Sequence, residues 1–383
     1  MSKRRILFVY DYFLPAYKAG GPIRSLANLT TLLSPYFDCY VYTSDQDLDG
    51  EILAVEKDRW VTFSENIKVF YSSKSFRNSG GIKTLVRDIM PEAVYLNGVF
   101  SLDFIVSPLR QLKKGGYSGR VVMAPRGMLR DSAFRLKWYK KIPFMFFLKS
   151  MGLLENVRWH ATDEQEAVDI LNKLKVPAHK ILPNVPFFDI ESKGSVVEDR
   201  GMDAIRFVSV SLIARMKNHL AFLNTLIRMP SYGKTIIYDI YGPIKESEYW
   251  EECQALIKKL PPHVRCTYKG AIQPSEVSDI LKDYHFYVLP TLGENFGHAI
   301  FEAFNVGLPV MISDRTPWKE LRTKDAGWDF PLEDPEALEA VLEEILEMDN
   351  KVYVSMRSGA RKLAEDFMQA QDFVKMYSDL LLN

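Results

Sequence analysis

The chain has 383 residues, more than one hydrophobic core usually organises, so two domains are expected. Apolar residues make up 47% and charged residues 26%, which excludes a disordered or fibrous chain. The 49 basic residues balance the 49 acidic ones, which argues against a general nucleic-acid binder. The charge is unevenly spread, however. Residues 1–185 carry 27 basic against 18 acidic residues, a balance of +9, and the remainder carries 22 against 31, a balance of −9. Such a split points to an anionic partner for the first half. The three cysteines, Cys39, Cys253 and Cys266, match neither a zinc site nor a CxxC motif, and fit a reducing compartment.

From the first residue onward, short apolar runs alternate with amphipathic stretches. The opening run Ile6–Tyr10 is too short for a signal peptide and reads as a strand. Gly20-Gly21-Pro22 follows it and precedes a helical pattern with Leu26, Leu29 and Leu33 at i, i+3 and i+7. A glycine pair there lets backbone N–H groups approach an anion, although a plain flexible turn would look the same. Further strands are expected at 39–43, 67–71, 93–96, 120–124 and 158–161. The loop Ala124-Pro125-Arg126-Gly127-Met128 leaves the fifth of these six, at the end where α/β sheets bind ligands.

The stretch 126–149 concentrates Arg126, Arg130, Arg135, Lys137, Lys140, Lys141 and Lys149 against Asp131 alone. It also carries Phe134, Trp138, Tyr139, Phe144, Phe146 and Phe147. Basic and aromatic residues on one helix suit an anionic membrane surface, though Pro143 is expected to break that helix midway. The apolar run 142–148 ends at Lys149, and no segment is long enough to span a bilayer.

The first alternation stops near Pro183-Asn184-Val185-Pro186, and the polar stretch 191–203 reads as a linker. Strands resume at 205–210, 235–241, 264–268, 286–289 and 309–313, and the tail 335–382 is helical in pattern. The expected class is therefore α/β, with two doubly wound, Rossmann-like domains facing each other across a ligand cleft.

Three motifs in the second half carry chemistry. Arg215 and Lys217 lie on the loop after strand 205–210, where cations suit a diphosphate leaving group. Glu294 lies on a loop before a helix expected over 296–304, and Glu302 falls on that helix's second turn. A loop carboxylate can accept sugar hydroxyls, and the backbone N–H groups of Asn295, Phe296 and Gly297 can hold phosphate. Read without a ligand, the same residues are a helix cap, a solvated glutamate and a basic loop. No clustering of His, Asp and Glu suggests a metal site, and there is no Walker loop or GxSxG elbow.

Taken in order, these motifs resemble the family-4 retaining glycosyltransferases of the GT-B fold. The likeness covers nearly the whole chain: Gly20-Gly21, Pro125-Arg126-Gly127-Met128, Arg158 to Glu164, Met216-Lys217-Asn218, Asp239 to Pro243, Lys269-Gly270, Pro290 to His298 with Glu302, and Ser313 to Trp318. The spacing of Glu294 and Glu302 is the most specific element. The resemblance implies that Glu302 binds the ribose and that Glu294 with Asn295, Phe296 and Gly297 holds the transferred sugar and its phosphate. It implies Lys217 at the diphosphate, Gly270 and Ala271 at the base, and Gly20 and Gly21 reaching the diphosphate from the first domain. Two positions depart from the family. Leu212 stands where many members have arginine, with Arg215 the candidate replacement, and Arg126 stands where many have a sugar-contacting histidine.

The implied domains are 1–186 with 367–383 for the acceptor, and 187–366 for the nucleotide-sugar donor. The implied activity is transfer of a hexose-type sugar, uridine-linked, to a saccharide or lipid-linked acceptor in bacterial surface polysaccharide or glycolipid synthesis. No metal or cofactor is implied, and the implied location is cytoplasmic, either free or peripheral at the inner face of the cytoplasmic membrane. The alternatives are another GT-B activity such as a sugar-nucleotide epimerase, or an inactive sugar-nucleotide-binding subunit.

Overall fold

A computed structural model describes residues 3–135, 137–186 and 204–383; the expected linker 191–203 lies outside them. The chain forms two compact units, Met1–Val185 with Asp372–Asn383, and Pro186–Gln371. Residues 367–371 go with the second unit rather than the first because the helix Asn350–Gln369 runs on without interruption.

The first unit is built on eight strands: β1 (Arg4–Val9), β2 (Phe37–Ser44), β3 (Trp60–Ser64), β4 (Ile67–Ser72), β5 (Ala93–Asn97), β6 (Arg120–Ala124), β7 (Val157–Ala161) and β8 (Lys180–Ile181). Their order is β3-β4-β2-β1-β5-β6-β7-β8, and every neighbouring pair is parallel except β3–β4. Ile6, Leu7, Phe8 and Val9 are all fully buried, as a central parallel strand covered by helices on both faces requires. Strand β3 was not expected from the sequence. It is a half-exposed edge strand, and its antiparallel pairing with β4 supplies the structure that its own pattern does not announce. The helix Gly21–Leu33 buries Leu26, Leu29 and Leu33, the predicted stripe. The final helix, Phe373–Leu382, packs against β5 and β6.

The helix Trp138–Ser150 runs straight through Pro143, contrary to the expected break. Proline's fixed φ is compatible with a helix, and the cost is mainly one lost hydrogen bond. Burial of Met145 and Leu148 holds the helix across that gap.

The second unit has six parallel strands: β9 (Ala204–Val210), β10 (Thr235–Tyr241), β11 (Val264–Gly270), β12 (Phe286–Leu289), β13 (Val310–Ser313) and β14 (Gly327–Phe330), in the order β11-β10-β9-β12-β13-β14. Strand β14, unforeseen in the sequence, closes the edge beside β13. Both sheets are thus doubly wound, as expected. The strand order reverses between β1 and β5 in one and between β9 and β12 in the other.

A buried polar chain ties three central strand ends of the first unit to its last helix. The Arg126 Nη2 donates to the Tyr95 hydroxyl (3.0 Å), which lies 2.6 Å from His160 Nδ1. His160 Nε2 lies 2.9 Å from the Leu182 carbonyl, and the Tyr377 ring meets the imidazole edge-on. The imidazole is therefore neutral, with Nε2 as its donor. Burial, and secondarily the Arg126 charge, pushes the His160 pKa down to about 3. The unfolded chain binds a proton below about 6.5 that the folded chain refuses, so stability falls as pH drops through that value. We expect this residue alone to remove about 1.4 kcal/mol per pH unit between about pH 6 and pH 4. Urea unfolding of His160→Phe against the parent at several pH values should show a shallower acid dependence in the variant.

Candidate functional site

Strands β9 and β12 flank the reversal point of the second sheet, and their C-terminal loops build the site. The loop leaving β9 is pinned to its neighbour: Ser211 N donates to Tyr241 O (2.9 Å) and Ile213 N to Pro243 O (3.0 Å). Gly242 makes this approach possible. Its φ is +137°, and a Cβ there would lie 1.8 Å from the Ser211 carbonyl oxygen. The loop then forms the tight helical turn Arg215–Lys217, and the left-handed Asn218 leads into the helix His219–Arg228.

The loop leaving β12 clasps that turn. The buried Thr291 hydroxyl donates to Met216 O (2.9 Å), and Leu292 N donates to the same carbonyl (2.8 Å). Ser313 Oγ donates to Thr291 O (2.6 Å), and Glu294 N to Arg315 O (2.9 Å). Lys217 and Glu294, 77 residues apart, thereby form an ion pair, with both side chains largely withdrawn from solvent. Withdrawal strengthens their mutual attraction and their reach toward a bound charge.

Beyond Glu294 the chain turns into the helix His298–Asn305, which starts two residues later than predicted. Gly297 caps it with φ +77°, and a Cβ there would press on Ile300 Cδ1 at 2.7 Å. Phe296 is sealed into an aromatic cluster with Trp318, Phe301 and Phe367, and Trp318 Nε1 donates to its carbonyl (2.7 Å). Only its backbone can serve a ligand. Glu302 lies on this helix and is 3% exposed. Asn295 is half-buried beside Glu294.

Gly270 ends β11 at the same, carboxyl end of the sheet, with φ +87° and open space where a Cβ would stand; Ala271 after it is exposed. Arg215 is not brought to the Lys217–Glu294 pair. Its guanidinium pairs with Glu252 on the helix Ser247–Ile257 and lies 5.5 Å from the Tyr249 ring centre. The expectation that it replaces the cation missing at Leu212 does not match this placement.

Two supports were missed in the sequence. Thr291 looks like an ordinary turn residue. His219 is buried between Ser211 Oγ (3.3 Å) and the Tyr238 hydroxyl (3.1 Å), and burial together with the Lys217 charge pushes its pKa down to about 4. It braces the loop as a neutral group. Only its place directly after Met216-Lys217-Asn218 hinted at that role.

In the first unit, Gly20 caps the helix Gly21–Leu33 with φ +76°, and Gly21 is exposed. The buried Asp47 carboxylate accepts Tyr17 N (3.0 Å), Lys18 N (3.2 Å) and Leu48 N (2.7 Å), fixing the approach to this glycine pair. Arg126 is 7% exposed and committed to Asn97 and Tyr95, so its visible role is to hold strand ends together. Among the described residues, no group of three or more His, Cys, Asp or Glu side chains could hold a metal ion.

Residues 196–363 match the family model of the group 1 glycosyl transferases. The matched residues include Lys217, Gly270, Ala271, Glu294 and Glu302. No curated protein matches the chain. Among solved structures, sucrose-phosphate synthase from Thermosynechococcus elongatus is similar with a TM-score of 0.75 and 14% identity, covering 99% of this chain and 98% of the other. HepE of Anabaena, in complex with UDP and glucose, gives 0.67 and 15%, covering 98% and 97%. WaaG, a glycosyltransferase involved in lipopolysaccharide biosynthesis, gives 0.67 and 13%, covering 98% and 99%. The fold is that of the GT-B glycosyltransferases.

The loop that carries Lys217 depends on Gly242. Gly242→Ala should cost more than about 2 kcal/mol, from the positive φ and the contact with Ser211 together. A thermal melt should show a midpoint lower by about 5 °C or more.

Proposed function

We propose that the protein is a retaining glycosyltransferase moving a hexose-type sugar from a uridine-diphosphate sugar to a saccharide or lipid-linked acceptor. The observation that carries this reading is the Lys217–Glu294 pair, clasped at the reversal point of the second sheet beside a helix N-terminus. Lys217 supplies a cation for the leaving diphosphate. Glu294 accepts hydroxyls of the transferred sugar, and the N–H groups from Asn295 to Gly297 add partial positive charge at the phosphate. Glu302 takes the ribose hydroxyls, while Gly270 and Ala271 leave the backbone open to the base. HepE, named with UDP and with UDP-glucose, supports the uridine nucleotide.

The transition state is oxocarbenium-like, so preorganised charge at the phosphate contributes more than a protein nucleophile. The leaving phosphate oxygen takes the acceptor proton, and no metal ion takes part. The first unit binds the acceptor, and WaaG supports a product in bacterial surface polysaccharide or glycolipid assembly.

Calorimetric titration of UDP in EDTA tests the donor site. Glu302→Ala should weaken UDP roughly 10–150-fold, the range of one charge-assisted hydrogen bond. Lys217→Ala should lower the rate of UDP-glucose hydrolysis more than it raises KM, because charge builds on the phosphate in the transition state. Unaltered UDP affinity in Glu302→Ala would remove that residue from the site. UDP binding without any hydrolysis or transfer by the parent would favour a non-catalytic sugar-nucleotide-binding subunit.

We also propose that the helix Trp138–Ser150 docks on an anionic membrane face. It exposes Trp138, Tyr139, Ile142 and Phe146, the last at 73%, beside the exposed Lys137, Lys140 and Lys149. Lys141 turns inward instead, donating to Ala133 O and lying over the Phe100 and Phe134 rings. Apolar and basic side chains together suit the headgroup boundary, at about 1 kcal/mol per cation. The chain should co-sediment with phosphatidylserine-containing vesicles, less so at high salt. The Lys137, Lys140 and Lys149 triple alanine variant should bind at least tenfold more weakly. Equal binding to neutral vesicles would overturn the docking reading.

A further inference from the structure

The first sheet has a reversal point of its own, between β1 and β5. In an open α/β sheet this is where the loops diverge and leave a crevice at the carboxyl ends of the strands. In the second unit the equivalent position holds Lys217 and Glu294. In the first unit it holds Asp11, two residues beyond β1, and Ser101, four residues beyond β5. Ser101 Oγ donates to Asp11 Oδ1 at 2.7 Å, bridging the two strand ends, and accepts from Phe104 N at 3.1 Å. The one proton of the serine hydroxyl is thereby committed to Asp11. The other oxygen of Asp11, Oδ2, takes no hydrogen bond from another described side chain.

Among the described residues no basic side chain forms an ion pair with this carboxylate. Arg77, whose charge acts on it, is committed elsewhere: to Asp103 Oδ2 (3.1 Å), to Asp45 Oδ1 (3.5 Å) and to the Ser72 carbonyl. Tyr12 stands next to Asp11, half-buried, with its ring 5.9 Å from that of Tyr10. The same end of β5 carries Asn97, fully buried, whose Nδ2 meets no partner among the described residues. A structural carboxylate withdrawn from water is normally paired or saturated with donors. Asp11 has one side-chain donor, Ser101, besides its own backbone N–H, and an aromatic neighbour, and no other described side chain donates to its second oxygen. That combination suits a sugar, which offers hydroxyl donors at its rim and an apolar ring face.

We propose that Asp11, positioned by Ser101, accepts a hydrogen bond from a hydroxyl of the acceptor saccharide in the first unit. This rests on the glycosyltransferase reading and adds to it the residue that recognises the acceptor. Burial raises the Asp11 carboxyl to about 6. The groups facing it are Asp103, which raises it further, Arg77, which lowers it, and the phenols of Tyr10 and Tyr12 on its own segment. The carboxylate form prevails above that value, so saccharide binding should weaken as the pH falls through it.

The test is saturation-transfer NMR on the full chain with the methyl glycosides of glucose, galactose and N-acetylglucosamine as probes. We expect the parent to bind at least one of them, and Asp11→Asn to bind it at least tenfold more weakly. The parent's binding should decline as the pH drops through about 6, and the variant's should not. Ser101→Ala, which frees the carboxylate to turn, should weaken binding less; it also tests the site if Asp11→Asn fails to fold. Calorimetry with UDP on the same samples separates the two readings. Unchanged UDP affinity in Asp11→Asn is expected, and failure of the parent to bind UDP would count against the glycosyltransferase reading itself. Equal glycoside binding by parent and Asp11→Asn, a pH-independent parent, or no glycoside bound by the parent overturns the assignment to Asp11.

Discussion

The Lys217–Glu294 ion pair sets the design of the second unit. Two charges drawn from strand ends 77 residues apart must meet at one point, partly out of water. That is unfavourable unless the loops presenting them are rigid. The surrounding structure supplies that rigidity. Thr291 and Leu292 both donate to Met216 O, Ser313 holds Thr291, and the neutral His219 braces the loop from beneath. Gly242 permits the close approach of two strand ends, and the Phe296 cluster anchors the far side of the Glu294 loop. Under the proposed function such preorganisation stabilises charge developing on a phosphate, because nothing has to move when the charge appears.

The two units solve the same topological problem with different chemistry. Each sheet reverses its strand order once, and each places polar side chains at the reversal. The second unit uses a cation with a carboxylate, suited to phosphate and sugar together. The first uses a carboxylate with a hydroxyl, and its prominent cation, Arg126, is spent on the Tyr95–His160 chain inside the fold. This division is consistent with an anionic nucleotide handled by one unit and a hydroxyl-bearing partner by the other. It also explains how a strand-end arginine can lie in a ligand-facing motif yet serve the core. Its φ of +55° turns the side chain into buried territory rather than outward.

Much of the fold was legible because buried parallel strands write themselves as continuous apolar runs. Arg120–Ala124, Thr235–Tyr241 and Phe286–Leu289 agree with the sequence reading residue for residue. The strands that escaped it lie at sheet edges. Trp60–Ser64 is half-exposed rather than a continuous buried run, and Gly327 at the start of Gly327–Phe330 disfavours a strand assignment. Yet Gly327 is there because a Cβ would lie 2.0 Å from Val310 O, a contact that no local pattern records. Pro143 misled in the opposite direction. A local rule predicted a break, and tertiary burial of Met145 and Leu148 overrode it.

By itself the sequence determined the alternation of elements, the division into two doubly wound sheets, and the loops on which Lys217, Glu294 and Glu302 lie. Those features depend on periodicity and on residues close together in the chain, which a linear pattern can carry. Only the tertiary structure decided which charges meet. It paired Lys217 with Glu294 but sent Arg215 to Glu252, two residues along the same turn to opposite partners. It buried Arg126 and left Asp11 with a single hydroxyl donor across the first reversal point. Side-chain direction, burial and partner choice are set by contacts between segments tens of residues apart, and the free energies that decide them do not exist until those segments are packed.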